Sequence, residues 1–164
     1  MEIFISFLHV FYIVKFLCSK YNFTLGTYGY GKDGVKLLYV HRDENTQRHE
    51  IREYEVNVAL HLNNQNDYLF GDNRHIIATD SQKNTIYILA KRHGVKSPEE
   101  FGMVITNHFL DQYSQVTEVN VKIEEYPWVR NTVDGVPHNH AFTMTPVARR
   151  FCQVYQKRDG MLII

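Results

Sequence analysis

Glu53-Tyr54-Glu55-Val56-Asn57-Val58-Ala59-Leu60-His61-Leu62 alternates without a break. Tyr54, Val56, Val58, Leu60 and Leu62 fall on one side of an extended chain, and Glu53, Glu55, Asn57, Ala59 and His61 on the other. That period of two predicts a strand with one apolar and one wet face, the pattern of an antiparallel sheet packed on one side only. Upstream, Val35, Leu37 and Tyr39 alternate with Lys36, Leu38 and Val40, so the partner strand is expected to be buried on both sides for part of its length. The polar stretch His41 to Arg48 joins the two into a long antiparallel hairpin.

Working downstream, Asn63 to Asn73 is rich in Asn, Asp and Gly and reads as a surface loop. A short apolar run, Ile76 to Ala78, then delivers Thr79 and Asp80. Thr79 and Gln82 have capping-box spacing, and Ile86, Leu89 and Ala90 share one helical face beyond them. The β-branched run Thr85-Ile86-Tyr87-Ile88 pulls against that helix. A second helix has stronger punctuation: Ser97 as N-cap, Pro98 at the first helical position and Glu100 closing the box. Phe101, Val104, Ile105, His108 and Phe109 make its apolar stripe.

Val119, Val121 and Ile123 predict a further strand, and Asn131 to Gly135 a turn. His138 to Met144 and Phe151 to Gln156 read as one returning strand with an irregular middle. The order strand, strand, helix, helix, strand, strand makes an α+β domain, an antiparallel sheet with both helices on one face. The other face is expected to be covered by sheet closure in an oligomer.

With 164 residues, 44% of them hydrophobic, the chain can bury the core of one globular domain. Its formal net charge is +0, and the cations are interspersed with acids, which excludes a basic nucleic-acid surface. The 2 cysteines, Cys18 and Cys152, form no Cys-x-x-Cys motif and are expected to be reduced thiols. Met1 to Cys18 is apolar nearly all round, yet Glu2 stands where a secretory signal needs positive charge. His9 and Lys15 interrupt the same stretch as a membrane span, so residues 1–26 are expected to be an apolar leader outside the fold, with a membrane role only if that stretch is a genuine anchor.

Three constellations could carry chemistry. The unpaired N–H groups of a helix beginning at Thr79-Asp80 suit a polar or anionic small molecule, although a capping role explains the same residues. Lys32, after Gly31 at the head of a strand, could be a proton-accepting amine or an ordinary solvated lysine. His138-Asn139-His140 places two imidazoles on one face of a strand, which would suit zinc if His108 or another group supplied a third ligand. Trp128 reads as a core aromatic or an interface anchor. Neither a phosphate-binding glycine loop nor a Gly-x-Ser-x-Gly elbow is present.

Taken in order, Tyr28-Gly29-Tyr30-Gly31-Lys32-Asp33, Gly71-Asp72-Asn73, Ala78-Thr79-Asp80-Ser81-Gln82-Lys83-Asn84-Thr85, Phe101-Gly102, Trp128 and Pro137-His138-Asn139-His140-Ala141-Phe142 resemble the N-terminal half of a uricase (urate oxidase). The resemblance runs from Tyr28 to Asp159. It implies the tunnelling fold (T-fold), whose unit is the ββααββ pattern derived above, and a homotetramer whose sheets close into a tunnel. Residues 27–160 are then a single T-fold domain, followed by a truncated tail at 161–164.

The resemblance further implies oxidation of urate by dioxygen, without cofactor or metal, to 5-hydroxyisourate and hydrogen peroxide. Lys32 and Thr79 match the family's proton-relay residues, and Thr79 and Asp80 its urate-contacting pair. The His138 and His140 motif is not a metal site in that family. The family's relay histidine, and the Phe, Arg, Gln and Asn that clamp urate, lie in a second unit beyond the matched region. The chain is therefore expected to hold one side of the site and to show little or no activity by itself. The resemblance also implies a peroxisome, although the sequence ends Leu162-Ile163-Ile164 rather than Ser-Lys-Leu. Two alternatives stand beside it: a zinc-dependent T-fold enzyme acting on a pterin precursor, and a non-catalytic truncated subunit.

Overall fold

The computed structural model describes residues 26, 28–145 and 148–164. The expected leader and Cys18 lie outside the described residues, Gly26 excepted. Strands β1 (Tyr30–Arg42) and β2 (His49–Leu62) form the long hairpin. A single turn of helix, α1 (Asn66–Phe70), follows within the stretch expected to be loop. Then come α2 (Thr79–His93), α3 (Pro98–Gln112) and β3 (Val116–Tyr126). A second hairpin, β4 (Trp128–Val133) and β5 (Val136–Met144), precedes β6 (Arg150–Lys157) and the short β7 (Leu162–Ile163). The main sheet has the antiparallel order β1-β2-β3-β6-β7, while β4 and β5 pair only with each other.

One layer of core explains this arrangement. Tyr54, Val56, Val58 and Leu60 of β2 face Val119, Val121 and Ile123 of β3, and all are essentially inaccessible to water. Ile86 and Leu89 of α2 and Phe101, Ile105 and Phe109 of α3 close over them. Each such side chain contributes about 1.5–3 kcal/mol when fully buried. The Ser97 hydroxyl accepts the Glu100 N–H at 3.2 Å, the cap predicted for α3, and such a bond is worth about 1 kcal/mol. Gly102 lets α3 lie close to β6, since a Cβ there would sit 2.6 Å from Val154 Cγ2. Among the described residues no helix is long and apolar enough to cross a membrane.

Several expectations change. β1 is buried on one side only: Val35 and Leu37 point into the core, whereas Lys36 and Leu38 are exposed. Its outer side has no layer to pack against. The β-branched run in α2 does not break the helix, because Ile86 and Leu89 are held in the core. Asn131 to Val133 is strand, and the turn is just Asp134-Gly135, both at positive φ. The expected single returning strand is two strands in two sheets, because β5 pairs back to β4 and only β6 pairs with β3. Trp128 is neither wholly core nor free: it is half-buried and donates its indole N–H to Glu53 Oε2 at 2.8 Å.

The sheet face away from the helices, expected to be covered in an oligomer, carries a network of polar contacts beside the exposed Leu38 and Phe151. Tyr126 donates to Glu55 at 2.9 Å, Lys122 and Arg149 pair with Glu124, and Gln153 donates to Asn120 at 3.0 Å. Tyr155 and Lys157 both engage Glu118. These contacts, most of them between strands, run through Glu55, Asn120, Glu124 and Glu118, the residues that alternate with the buried ones.

Candidate active site at the head of β1 and α2

Lys32 pairs with Val58 in the β1–β2 ladder. Directly paired residues share a sheet face, so Lys32 leaves the sheet on the side of the helices. It takes part in none of the salt bridges among the described residues. Tyr30, two residues earlier, accepts the Ile77 N–H on its phenolic oxygen at 2.8 Å. That bond ties the head of β1 to the chain entering α2, two residues before Thr79. Lys32 and Thr79-Asp80, 47 residues apart in sequence, are thus brought to one corner of the molecule, although no direct hydrogen bond joins them.

The start of α2 differs from the expected capping box. Thr79 is the first helical residue, Ala78 occupies the N-cap, and no side chain caps the helix. Gln82 lies on the buried stripe with Ile86, Leu89 and Ala90, so its side chain cannot reach back to the surface. Its Nε2 instead donates to Ile77 O at 2.9 Å. The first intrahelical bond is Gln82 N–H to Ala78 O at 3.0 Å, which leaves the N–H groups of Thr79, Asp80 and Ser81 free of intrahelical partners. Thr79 and Asp80 are exposed, and Asp80 is held only by a loose 3.6 Å contact to Lys83. The corner offers a hydroxyl, a carboxylate, three outward N–H groups and the positive end of a helix dipole, the equipment to hold a polar or anionic small molecule.

Two neighbouring segments frame the corner. Tyr68 of α1 donates to Gly29 O at 3.3 Å and meets Tyr28 edge to face at 4.9 Å, while Tyr28 donates to Asn64 O. In the loop before α2, Asp72 accepts from Arg74 Nε at 2.8 Å and from its second guanidinium nitrogen at 2.6 Å. That fork, with the Arg74 N–H, holds the Asp72 carboxyl down at about 2. Because its native pKa is depressed, whatever stability the pair adds is present above the ordinary carboxylate range and is lost as pH falls through about 2. In Arg74→Ala the Asp72 carboxyl is expected to titrate back near its ordinary value, read from its carboxyl carbon shift. An unchanged midpoint would show that the fork does not set it.

The histidine motif does not assemble a metal centre. His138 Nδ1 accepts from the backbone N–H groups of His140 and Ala141, at 3.2 and 3.1 Å. His140 meets His138 edge to face and His49 at a tilt, and no three His, Cys, Asp or Glu side chains among the described residues converge on an ion. His108, the third ligand that reading required, lies on α3 against Phe109. Arg130 closes the region by donating to the carbonyls of His138, Asn139 and His49, which docks the second hairpin on β2. Burial pushes the Cys152 thiol up to about 11, far from a nucleophile's range.

Known proteins place this corner in context. The family model described as uricase matches residues 28–155. A uricase of Oryctolagus cuniculus is 47% identical over 136 residues, covering 83% of this chain and 45% of that protein. A uricase of Drosophila melanogaster is 42% identical over 165 residues, covering 85% of this chain and 46% of that protein. The chain spans about half the length of the curated relatives it matches. The crystal structure of uricase from Arthrobacter globiformis superposes with a TM-score of 0.76 at 32% identity, over 84% of this chain and 46% of that one. With the ββααββ sheet, the bare helix start and matches of this extent in agreement, the chain belongs to the uricase family.

Proposed function

We propose that this chain supplies one side of a urate-oxidising site, with Lys32, Thr79 and Asp80 as its working residues. The observation that carries the reading is the Tyr30–Ile77 bond, which gathers an unpaired lysine and an uncapped helix start at one corner. In the proposed reaction urate gives two electrons to dioxygen, and water supplies the new hydroxyl. Urate, dioxygen and water thus become 5-hydroxyisourate and hydrogen peroxide, with atoms and electrons balanced. No cofactor is required, because the urate dianion is itself electron-rich. The protein has to deprotonate, orient and shelter it.

Thr79 and Asp80 would take urate through side chain and backbone N–H, and the Thr79 hydroxyl, which can both donate and accept, would pass a proton towards Lys32. The opposite side of the site would come from a second T-fold unit and a neighbouring subunit, in a homotetramer whose polar sheet faces line a tunnel. Peroxisomal location is proposed on the family alone.

The test is reconstitution. This chain is mixed with the part of the Oryctolagus cuniculus uricase that it does not match, and urate absorbance and peroxide are followed. Urate loss with stoichiometric peroxide is expected in the mixture and only traces from either part. In parallel, a ¹H–¹⁵N titration of the chain with urate is expected to shift the Thr79 and Asp80 amides. Silence in both measurements would defeat the proposal.

A further inference from the structure

We infer that Tyr30 and Gln82 are positioning residues that grip the Ile77 backbone, one at its N–H and the other at its carbonyl, and so hold Thr79 and Asp80 in place beside Lys32. The inference rests on the reading of that corner as the urate site. The Ile77 N–H goes to Tyr30 Oη at 2.8 Å, and the Ile77 carbonyl accepts from Gln82 Nε2 at 2.9 Å. Both backbone polar groups of one residue, in two successive peptides, are therefore taken by side chains rather than by the helix or the sheet. The Ile77 side chain is itself buried, which removes the remaining freedom of that residue.

Gln82 is the telling member. It is completely buried on the apolar stripe of α2, and its Oε1 has no hydrogen-bond partner. A leucine or methionine would fill that place without stranding a polar oxygen, and a buried amide using one side only is a liability for packing. What the amide achieves is the bond to Ile77 O. On the other side, burial raises the Tyr30 phenol above its ordinary value, so the ring stays neutral through the physiological range. Since α2 has Ala78 at its N-cap and no side-chain cap, these two bonds, with the burial of Ile77, are what hold the residue next to the helix start. Tyr30 and Lys32 are two residues apart on β1, and Ile77 and Thr79 two apart at α2. The grip is thus the short mechanical link between the proposed base and the proposed hydroxyl.

Amide hydrogen exchange on the full chain tests the grip, and turnover in the reconstituted enzyme tests its purpose. In Tyr30→Phe and in Gln82→Met, exchange at the Ile77 and Gln82 amides is expected to quicken at least tenfold, while Ile105 and Val121 keep their protection. In the reconstituted enzyme Tyr30→Phe is expected to lower kcat about tenfold, yet to have no further effect once Thr79 has been replaced by Ala. A purely structural role would lower turnover equally in both backgrounds, and that result overturns the inference. Unchanged exchange at Ile77 overturns it as well. If the wild-type mixture does not oxidise urate, the reading of the site fails, while the exchange data still decide whether the grip exists.

Discussion

Gly31→Ala is expected to destabilise the fold by about 3 kcal/mol and to spoil the candidate site with it. A Cβ at Gly31 would lie 1.7 Å from Val58 O, 2.7 Å from Val58 C and 2.8 Å from Ala59 Cα. All three are backbone atoms of β2, so no rotamer change relieves the overlap. Nor can β2 retreat, because Val58 and Leu60 on either side of Ala59 are locked in the core. The head of β1 must therefore peel away, carrying Tyr30 and Lys32 with it. The Tyr30–Ile77 bond is then lost, and with it the link to α2.

A thermal midpoint lowered by about 6–12 °C follows from the usual scaling for a domain of this size. The Ile77 amide should lose protection in the same variant. Gly135→Ala, in the Asp134-Gly135 turn where a methyl meets nothing within 4 Å among the described residues, is the comparison: its cost comes from backbone strain at positive φ alone and is expected to be about 1 kcal/mol. A Gly31→Ala protein as stable as wild type would mean that the two strands are not so close at this point.

How much of this was legible in the sequence depends on how local the deciding interactions are. β2 was readable because strict alternation from Tyr54 to Leu62 has one physical solution, and α3 because Ser97, Pro98 and Glu100 all announce the same start. The start of α2 misled for an instructive reason. Thr79 and Gln82 have the right spacing for a capping box, but Gln82 also falls on the stripe of Ile86 and Leu89, and burial of that stripe outweighs a surface cap.

The second hairpin escaped notice because Asn131 and Thr132 look like loop residues. Only the pairing of Trp128 with Met144 and Arg130 with Phe142, not visible in local pattern, makes them strand. At the candidate site, Lys32, Thr79 and Asp80 were candidates from their places at a strand head and a helix start, and the ordered motifs gave them their proposed roles. Tyr30 was read only as part of a motif and Gln82 only as half of a capping box, since what they share is the backbone of Ile77. A contact between Tyr30 and Ile77 leaves no mark on periodicity. The one available signal was a glutamine at a helix position whose spacing from Ile86 and Leu89 demands an apolar residue.

Lys32→Met and Thr79→Ala, each introduced into the reconstituted enzyme, are expected to lower kcat by roughly 10²–10⁴, the range that a positioned proton-transfer group supplies. Neither change should weaken the fold: Lys32 joins no salt bridge among the described residues, and Thr79 is exposed and caps nothing, so both thermal midpoints are expected to stay near wild type. The double variant carries the sharper information. If the amine and the hydroxyl serve one relay, removing either breaks it, and the pair together should lose about as much as the worse single change. If they act independently, the losses multiply.

Thr79→Ser, which keeps the hydroxyl, should retain most of the rate. Lys36→Met, on the exposed outer side of the same strand, should retain all of it. Unaltered turnover in both Lys32→Met and Thr79→Ala would remove these residues from the chemistry, and multiplying losses would separate them into two unconnected roles. The proposed relay requires the opposite pattern, because a proton that leaves the Thr79 hydroxyl needs a route onward, and Lys32, on the helix side of β1 at the same corner, is the residue proposed to share that route.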